Sequence, residues 1–312
     1  MSKLENIAVI GAGMMGHGIA QIFAIHGHPV TLMDLQDSLL SDAIENIRAN
    51  LSLMAQRGII SSAEIQPAIQ RIKTTTDLKE AASQAQFVVE AVLEKLELKQ
   101  EIFQNLDSLS PPDTILATNT SVISITQIAQ KSKHRGRIVG THFWNPPYLI
   151  PLVEVIRGEQ TDPKVVEKTY ALLQRVGKHP VRVHKDVPGF VGNRLQHALW
   201  REAISIVERG IADAATVDEC VKFGFGLRLP HLGPMENIDM VGTDLTLAIH
   251  DYILKYLESA PNPSALLQKK VENGEMGFKT GKGFQTWPQK EAQRSRKELV
   301  EYLLDVIAKK GH

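Results

Sequence analysis

Hydrophobic and polar positions in the first half of the chain alternate between two patterns. Short, continuous apolar runs are typical of buried strands, and the longer segments between them carry apolar residues at helical spacing. The predicted strands are Ile7 to Ile10, Pro29 to Met33, Phe87 to Val92, Ile115 to Thr118, Arg137 to His142 and Leu152 to Ile156. Helices are predicted at Leu96 to Leu106 and Ile123 to Gln130. Strands that alternate with helices favour an α/β fold with a doubly wound, mainly parallel sheet.

Two further helical segments follow the second strand without a strand between them. Leu35 to Arg57 has the spacing of a long amphipathic helix, and Ser62 to Ile72 predicts a returning helix after Gly58. Together they predict a helical hairpin inserted outside the sheet, with the shape of a lid or an arm.

The pattern becomes wholly helical after the Pro188-Gly189 turn. Helices are predicted at Phe190 to Glu208, Ala214 to Phe223, Thr243 to Leu257 and Ser264 to Asn273, with an amphipathic tail helix at Gln289 to Lys310. We therefore predict two domains, residues 1–186 with the sheet and residues 187–312 as an all-α domain, which suits a chain of 312 residues. The tail helix is expected to cover either a partner or the chain's own surface.

Composition excludes several classes of partner. Lys plus Arg equals Asp plus Glu at 35 each, so no excess of basic charge is available for nucleic acid or an anionic membrane. No apolar run reaches the roughly 18 residues of a membrane span, and the polar start of the chain leaves no signal peptide, so a cytoplasmic location is expected. The single cysteine, Cys220, is interpreted as a core thiol.

The first strand leads directly into a G-x-G-x-x-G sequence, Gly11 to Gly16. In a dinucleotide site Gly11 makes the tight turn, Gly13 lets the backbone approach a pyrophosphate, and Gly16 lets the helix pack closely on the strand. Backbone N–H groups at the helix start, including those of Met14 and Met15, then face the phosphates. The strand before and the helix after this triplet make it more specific than the glycines alone.

An acidic residue at the end of the second strand indicates which dinucleotide binds. Asp34 lies 18 residues after Gly16, where a carboxylate accepts hydrogen bonds from ribose hydroxyls and repels a 2'-phosphate. The predicted cofactor is therefore NAD rather than NADP.

Polar residues at later strand ends could supply the chemistry, because the carboxyl ends of parallel strands form the ligand crevice. They are Asn119-Thr120-Ser121, His142 and, within the next strand, Glu154. A histidine can take the hydroxyl proton of a secondary alcohol, and a carboxylate on its other ring nitrogen would stabilise the imidazolium. From the residues alone, a structural histidine at this position stays the alternative.

Two other kinds of site are not predicted. The chain has no H-E-x-x-H sequence and no cysteine cluster, so no metal is expected. It also lacks the G-x-S-x-G turn of many hydrolases.

Six motifs, in order and nearly end to end, resemble those of the L-3-hydroxyacyl-CoA dehydrogenases. They are Gly11 to Gly16, Asn119 to Ser121, Thr141 to Pro146, Leu152 to Ile156, Pro188 to Arg194 and Lys279 to Phe284. The resemblance implies oxidation of a hydroxyacyl-CoA, of short chain in our reading, to the 3-oxoacyl-CoA with reduction of NAD, as in fatty acid metabolism. It also implies a Rossmann-type first domain and a helical second domain that forms a homodimer.

The same resemblance assigns roles to individual residues. His142 is implied as the catalytic base and Glu154 as its partner, while Ser121 and Asn193 hold the substrate near the nicotinamide. Further residues are implied on or near the bound NAD, namely Glu94, Lys99, Asn119, Ser121, Asn145 and Lys279. Ordinary surface lysines are the alternative for Lys99 and Lys279, and a helix-capping role is the alternative for Asn193.

Two departures from the family leave the substrate open. The hairpin of the acyl-CoA enzymes is rich in lysine, whereas residues 51–62 here offer only Arg57 for a CoA nucleotide. The stretch from Gly224 to Pro234 is longer than usual and resembles gulonate and carnitine dehydrogenases, where Arg228 could clamp a substrate carboxylate. The alternatives are therefore a free 3-hydroxy acid or a cyclic hydroxyl compound, and, from another class, a non-catalytic NAD-binding structural protein.

Overall fold

A computed structural model describes residues 4–310 of the chain. The first three residues, which contribute to the expectation of no signal peptide, and the last two of the predicted second domain lie outside the described part. The chain divides into two compact units. The first holds residues up to 193 together with those from 300 onward, and the second holds residues 194–299.

One eight-stranded sheet forms the centre of the first unit. Its strands are β1 (Ile7–Ile10), β2 (Val30–Met33), β3 (Ile72–Thr75), β4 (Phe87–Glu90), β5 (Ile115–Thr118), β6 (Ile138–Phe143), β7 (Leu152–Ile156) and β8 (His179–Val183). Their order is β3-β2-β1-β4-β5-β6-β7-β8. All neighbours pair in parallel except β6 and β7, so β7 and β8 run against the other strands.

Helices cover both faces of this sheet. They are α1 (Met14–Ile25), α2 (Asp37–Gln56), α3 (Ile65–Gln70), α4 (Leu78–Ala82), α5 (Leu96–Leu109), α6 (Ile125–Ile128) and α7 (Pro163–Arg175). Successive strand residues belong to opposite cores: Ile7 and Val9 pack in one cluster, and Ala8 and Ile10 pack in the other. Burial on both faces explains why the strands read as continuous apolar runs. The expected doubly wound, mainly parallel sheet is confirmed.

Two strands, β3 and β8, and part of the hairpin differ from the sequence-based expectation. The segment predicted as one helix up to Ile72 is a short 3-10 turn, the brief helix α3 and then strand β3, which pairs with β2. Its sequence Ile-Lys-Thr-Thr lies at the sheet edge with two exposed side chains, so it lacks a strand's usual apolar run. Helix α2 contributes Leu40, Ile47 and Leu51 to the core of the first unit.

The strand order reverses at β1, which lies between β2 and β4. The glycine turn is packed into this switch point: Gly11 has a φ of 101°, and a Cβ there would lie 2.7 Å from the Ala91 carbonyl oxygen that follows β4. Open α/β sheets bind ligands at such a point.

Helices make up the second unit. They are most of α8 (Gly192–Glu208), then α9 (Ala214–Phe223), α10 (Pro234–Val241), α11 (Thr243–Ile253), α12 (Ala265–Glu272) and the first part of α13 (Gln289–Lys310). Many large apolar side chains of these helices are exposed, among them Trp200, Met240, Leu247 and Tyr252. Cys220 is exposed too, so its interpretation as a core thiol is wrong. Helix α10 was not predicted from the sequence.

The last part of the tail helix α13 packs on the first unit. Leu304 is 1% exposed and shares a small apolar cluster with Met54 of α2 and Leu149. On the same helix Asp305 forms an ion pair with Arg57, the residue that ends α2. The tail therefore covers the chain's own helical hairpin.

Within residues 4–310, no helix has the length and hydropathy that crossing a bilayer requires.

Alanine substitutions in the glycine turn are expected to separate packing from cofactor binding. A Cβ at Gly16 would lie 1.7 Å from the Gly11 carbonyl oxygen, so Gly16→Ala should lower the free energy of unfolding by about 1 to 3 kcal/mol. A Cβ at Gly13 meets nothing within 4 Å, so Gly13→Ala should change stability by less than about 0.5 kcal/mol while weakening NADH binding. Thermal unfolding and NADH fluorescence titration measure the two effects. Equal loss of stability in both variants would contradict the assignment of Gly16 to helix packing and of Gly13 to cofactor binding.

Candidate active site

The amino end of α1 is open to an anionic ligand. Its N-cap residue is Gly13, which supplies no side-chain acceptor, and its first turn has no acidic residue. Helices α4, α7 and α9 of the same chain are instead capped by Asp77, Asp162 and Asp213. Free N–H groups, including those of Met14 and Met15, and the positive end of the helix dipole therefore remain for a phosphate. These features fit the pyrophosphate of a dinucleotide.

Asp34 follows β2 and lies against the glycine turn. Its Oδ2 accepts a hydrogen bond of 2.7 Å from the Ala12 backbone N–H, and its Oδ1 accepts one from the Leu35 N–H. The carboxylate thus fixes the turn to the end of β2. It is partly exposed at the position where the ribose of an adjacent nucleotide would lie.

A buried charge cluster lies beneath the ends of β4 and β5. Lys99 of α5 is 0% exposed, and its ammonium group is 2.7 Å from Glu90 Oε1 and 3.4 Å from Glu94 Oε2. Glu94 is partly exposed and accepts hydrogen bonds from the Thr120 hydroxyl and the Ser121 N–H. Although burial opposes ionisation of Glu94, these bonds and the Lys99 charge outweigh it and lower the pKa of its carboxyl.

The loop after β5 holds Ser121 from both sides. Its N–H donates to Glu94 at 2.8 Å, and its carbonyl oxygen accepts from Asn193 Nδ2 at 2.9 Å. Asn119 is 9% exposed and accepts a hydrogen bond from the Phe143 N–H, which joins the ends of β5 and β6. The backbone of Ser121 is therefore fixed on two sides, while the residue itself is exposed.

His142 and Glu154 are direct neighbours across the antiparallel pair β6 and β7. Residues paired in this way have side chains on the same face of a sheet. The His142 Nδ1 lies 2.7 Å from Glu154 Oε2, and both residues are nearly completely buried. The His142 Nε2 has no hydrogen-bond partner among residues 4–310. The two residues that the sequence predicted as a pair are therefore in contact.

The Glu154 carboxylate also anchors the start of α8. Its Oε1 accepts hydrogen bonds from the Val191 N–H at 2.9 Å and the Gly192 N–H at 3.0 Å. Burial raises the cost of its charge, but the bonds from His142 and the two amides outweigh that cost and lower the pKa of Glu154. An ionised Glu154 can only accept a hydrogen bond, so His142 donates to it from Nδ1, which leaves Nε2 for other contacts.

Aromatic rings complete the surroundings of His142. The centroids of Trp144 and Phe190 lie 5.2 Å and 5.8 Å from that of the imidazole. Phe190 has a φ of 49°, a conformation that a non-glycine residue rarely adopts, and its side chain is 1% exposed. A Cβ at Gly192 would lie 2.4 Å from the Trp144 ring, so glycine is required there for the packing.

The other predicted site residues are exposed or paired with another side chain. Asn145 is exposed just after β6, and Arg57 is bound by Asp305. Arg228 and Lys279 are exposed in loops of the second unit. Residues 4–310 contain no group of three or more His, Cys, Asp and Glu side chains that could hold a metal ion.

The sequence pattern did not indicate two features of this edge. Glu90 ends a buried strand and is 0% exposed, and its charge at the end of a Phe-Val-Val run was the available signal. Three apolar residues that follow strand ends are exposed: Leu35 (80%), Leu93 (68%) and Val122 (45%). Their position at the carboxyl edge of the sheet suits contact with the flat rings of a dinucleotide.

Two family models together match most of the chain. The NAD-binding domain of 3-hydroxyacyl-CoA dehydrogenase matches residues 6–187, and the C-terminal domain of the same enzymes matches residues 189–287.

Individual relatives match over nearly the whole length. The chain is 36% identical over 304 residues to 5-formyl-3-hydroxy-2-methylpyridine 4-carboxylate 5-dehydrogenase of Mesorhizobium japonicum, covering 97% of each protein. A crystal structure of a 5-dehydrogenase for that substrate, described as an NAD+-dependent dismutase, matches with a TM-score of 0.90 and 33% identity over 97% of each chain. A probable 3-hydroxybutyryl-CoA dehydrogenase of Bacillus subtilis is 37% identical over 289 residues, 92% of this chain and 99% of that one.

These matches confirm the expected family and the NAD cofactor, and they do not support the alternative of a non-catalytic structural protein. They also fit the mainly parallel sheet and the glycine turn described above. The chain therefore belongs to the 3-hydroxyacyl-CoA dehydrogenase family and is an NAD-dependent oxidoreductase of the alcohol dehydrogenase type.

Proposed function

We propose that this enzyme oxidises a small, free hydroxylated carboxylate with NAD. This proposal rests on the pairing of the basic residue in the helical hairpin formed by α2 and α3. Its one basic residue between positions 51 and 62, Arg57, is bound by Asp305 of the tail helix. A CoA nucleotide would need cations there, and the structure offers none that is uncommitted.

The other arginines of the hairpin are engaged as well. Arg48 donates to Gln66 Oε1 at 3.3 Å, and Arg71 donates to the Ala24 carbonyl oxygen at 3.1 Å. Phosphate recognition depends on arginine or lysine groups that are free to form charged hydrogen bonds. Each of these arginines already has a partner in the folded chain, which favours a substrate that does not depend on phosphate contacts to the hairpin.

The tail helix supports the same proposal. The C-terminal family model ends at residue 287, before α13 begins. The match to the Mesorhizobium japonicum pyridine carboxylate dehydrogenase covers 97% of this chain and so reaches into α13. The substrate named for that relative is a free aromatic carboxylate, and the dehydrogenation is named at its 5-formyl position, so the relative supports a carboxylate substrate without CoA rather than a particular hydroxyl group.

In the proposed reaction His142 acts as the base. Its Nε2 takes the hydroxyl proton of the substrate while the carbon-bound hydrogen leaves as hydride, and NAD supplies the hydride acceptor when bound. Glu154 holds Nδ1–H at 2.7 Å and stabilises the imidazolium as it forms. The substrate loses two electrons and two hydrogens, one as hydride and one as the proton on His142.

Ser121 and Asn193 are proposed to position the substrate. The hydroxyl of the exposed Ser121 would hydrogen-bond the reacting oxygen, and Asn193 fixes the Ser121 carbonyl through its amide. The glycine turn, Asp34, Glu94, Asn145 and Lys279 are proposed on the cofactor side. In the second unit Arg228 is proposed to bind the substrate carboxylate, because its exposed guanidinium has no ion-pair partner among residues 4–310.

An acyl-CoA substrate is the second candidate. It is favoured by the names of the family models and of the Bacillus subtilis relative, which is 37% identical. The homodimer, the link to fatty acid metabolism and the cytoplasmic location that the sequence suggested stay predictions.

A substrate panel should separate the two candidates. NADH formation is measured with 3-hydroxybutyrate, gulonate, carnitine and the pyridine carboxylate of the Mesorhizobium relative, beside 3-hydroxybutyryl-CoA. We expect kcat/KM for an accepted free acid to exceed that for the thioester by at least about tenfold. Turnover of the thioester alone would instead establish the second candidate.

Arginine variants sharpen this panel. Arg228→Gln should raise the KM of the accepted carboxylate about tenfold or more, because a charged hydrogen bond to substrate is lost. Arg294→Gln, at an exposed arginine paired with Glu298, serves as the matched control and should leave KM unchanged. Equal KM values in the two variants would remove Arg228 from the site.

Replacing the proposed base should abolish turnover without loss of cofactor. His142→Gln keeps a hydrogen-bonding group beside Glu154 but cannot take a proton, so kcat should fall by about 100- to 10,000-fold. NADH affinity, followed by fluorescence, should stay within about threefold of the wild type. His184→Gln, at an exposed histidine after β8, is the control. Normal turnover in His142→Gln would refute the assigned base.

The lowered pKa of Glu154 predicts a pH-dependent contribution to stability. The pKa of this carboxyl is lower in the folded protein than its ordinary value of 4.5. Its ionised form therefore stabilises the folded protein fully above pH 4.5, and this stabilisation is lost as the pH falls through the pKa of the folded protein. At neutral pH, Glu154→Gln should therefore lower the free energy of unfolding by about 1.5 to 3 kcal/mol, and with it the unfolding temperature. The gap should narrow on acidification below about pH 4.5.

Thermal unfolding of both proteins between neutral and acidic pH measures that gap. Glu167→Gln is the control, because Glu167 pairs with Arg182 on the exposed surface. The loss of stability that this variant causes should disappear at high salt. A gap for Glu154→Gln that widens in acid would show that the carboxyl is neutral in the folded protein.

A further inference from the structure

Lys99 is too deeply buried to touch a cofactor on the surface of the sheet. Its side chain is 0% exposed, and its ammonium group lies 2.7 Å from Glu90 Oε1 and 3.4 Å from Glu94 Oε2. The ammonium group donates a hydrogen bond to Glu90, and Glu94 lies at ion-pair distance from it. Any role of Lys99 in the reaction must therefore pass through the groups that it contacts.

Glu90 ties Lys99 to the fold. Its Oε1 also accepts a hydrogen bond of 2.7 Å from the Val92 N–H, and its Oε2 accepts one of 2.7 Å from the Thr118 hydroxyl. Because Glu90 is fully buried, its charge requires a cation, and Lys99 supplies it. If Lys99 turned toward a cofactor phosphate, a buried carboxylate would remain unpaired, at a high cost.

Glu94 carries the effect of Lys99 to the substrate loop. Its second oxygen, Oε1, accepts from the Thr120 hydroxyl at 2.6 Å and from the N–H groups of Ser121 and Val122 at 2.8 Å and 3.2 Å. One carboxylate therefore joins the buried ammonium group to three consecutive residues of the loop after β5.

We propose that Lys99 is a positioning residue, which fixes the Glu94 carboxylate and through it the backbone of Thr120, Ser121 and Val122. Lys99 sets the place of the Ser121 hydroxyl without contacting NAD or substrate. This inference rests on the role of Ser121 in the proposed function. It replaces the cofactor contact that family resemblance implies for Lys99.

Two variants isolate the contact between Lys99 and Glu94. Lys99→Met alone leaves Glu90 buried without a cation and is expected to fold poorly. The test is therefore the double variant Glu90→Gln/Lys99→Met, which removes both charges of the buried pair. Its matched control is Glu90→Gln, which keeps Lys99 beside Glu94.

Relative to Glu90→Gln, the double variant should show kcat lower by about 10- to 100-fold, the cost of a misplaced group at the reacting centre. NADH affinity should agree between the two variants within about threefold. Hydrogen–deuterium exchange of a peptide that spans residues 119–123 should be faster in the double variant, because the Ser121 and Val122 amides lose their fixed acceptor. The exchange measurement needs no substrate.

Each other outcome overturns the inference. Equal kcat and equal exchange in the two variants would make Lys99 purely structural. A drop in NADH affinity of about tenfold or more with unchanged kcat at saturating NAD would make it a cofactor-binding group. Ser121→Ala, assayed in parallel, tests the proposed function by itself: wild-type kcat there removes the role of Ser121 whatever the exchange of the loop shows.

Discussion

The Glu154 carboxylate is the group on which the proposed active site depends. It joins three separate pieces of the chain: strand β7, on which it lies, the imidazole of His142 on β6, and the Val191 and Gly192 amides that begin α8. A buried carboxylate without such donors would be costly. Here His142 and the two amides favour its charge, and the same charge determines which ring nitrogen of His142 carries the proton.

The same arrangement recurs along the carboxyl edge of the sheet. Asp34 accepts from the Ala12 amide, Glu90 from the Val92 amide, and Glu94 from the Ser121 and Val122 amides. In each case a carboxylate at or just after a strand holds the backbone of a loop that the site needs. Charged hydrogen bonds of this kind are stronger than neutral ones, so the loops are fixed before any ligand arrives.

The sequence was sufficient for six of the eight strands, because strands buried on both faces have a continuous apolar pattern and the glycine turn lies between a strand and a helix. It also placed His142 and Glu154 on adjacent strands, and the structure brings their side chains into contact. Strand β3 was missed since its sequence Ile-Lys-Thr-Thr is half polar at a sheet edge. The burial of Lys99 could not be read from helix periodicity, because a lysine on α5 looks like a surface residue until Glu90 is known to lie beside it.

Substrate identity depends on a different kind of information, namely which charges are already satisfied within the folded chain. Counting basic residues leaves Arg57 available to a nucleotide, whereas the fold places Asp305 against it from a position 248 residues further along the chain. No local pattern relates these two residues. The tail helix that carries Asp305 is held by apolar packing of Leu304 on Met54 and Leu149, so its position does not depend on the ion pair alone. A surface that the chain neutralises with its own tail is poorly matched to CoA phosphates, and this favours a small carboxylate as the substrate.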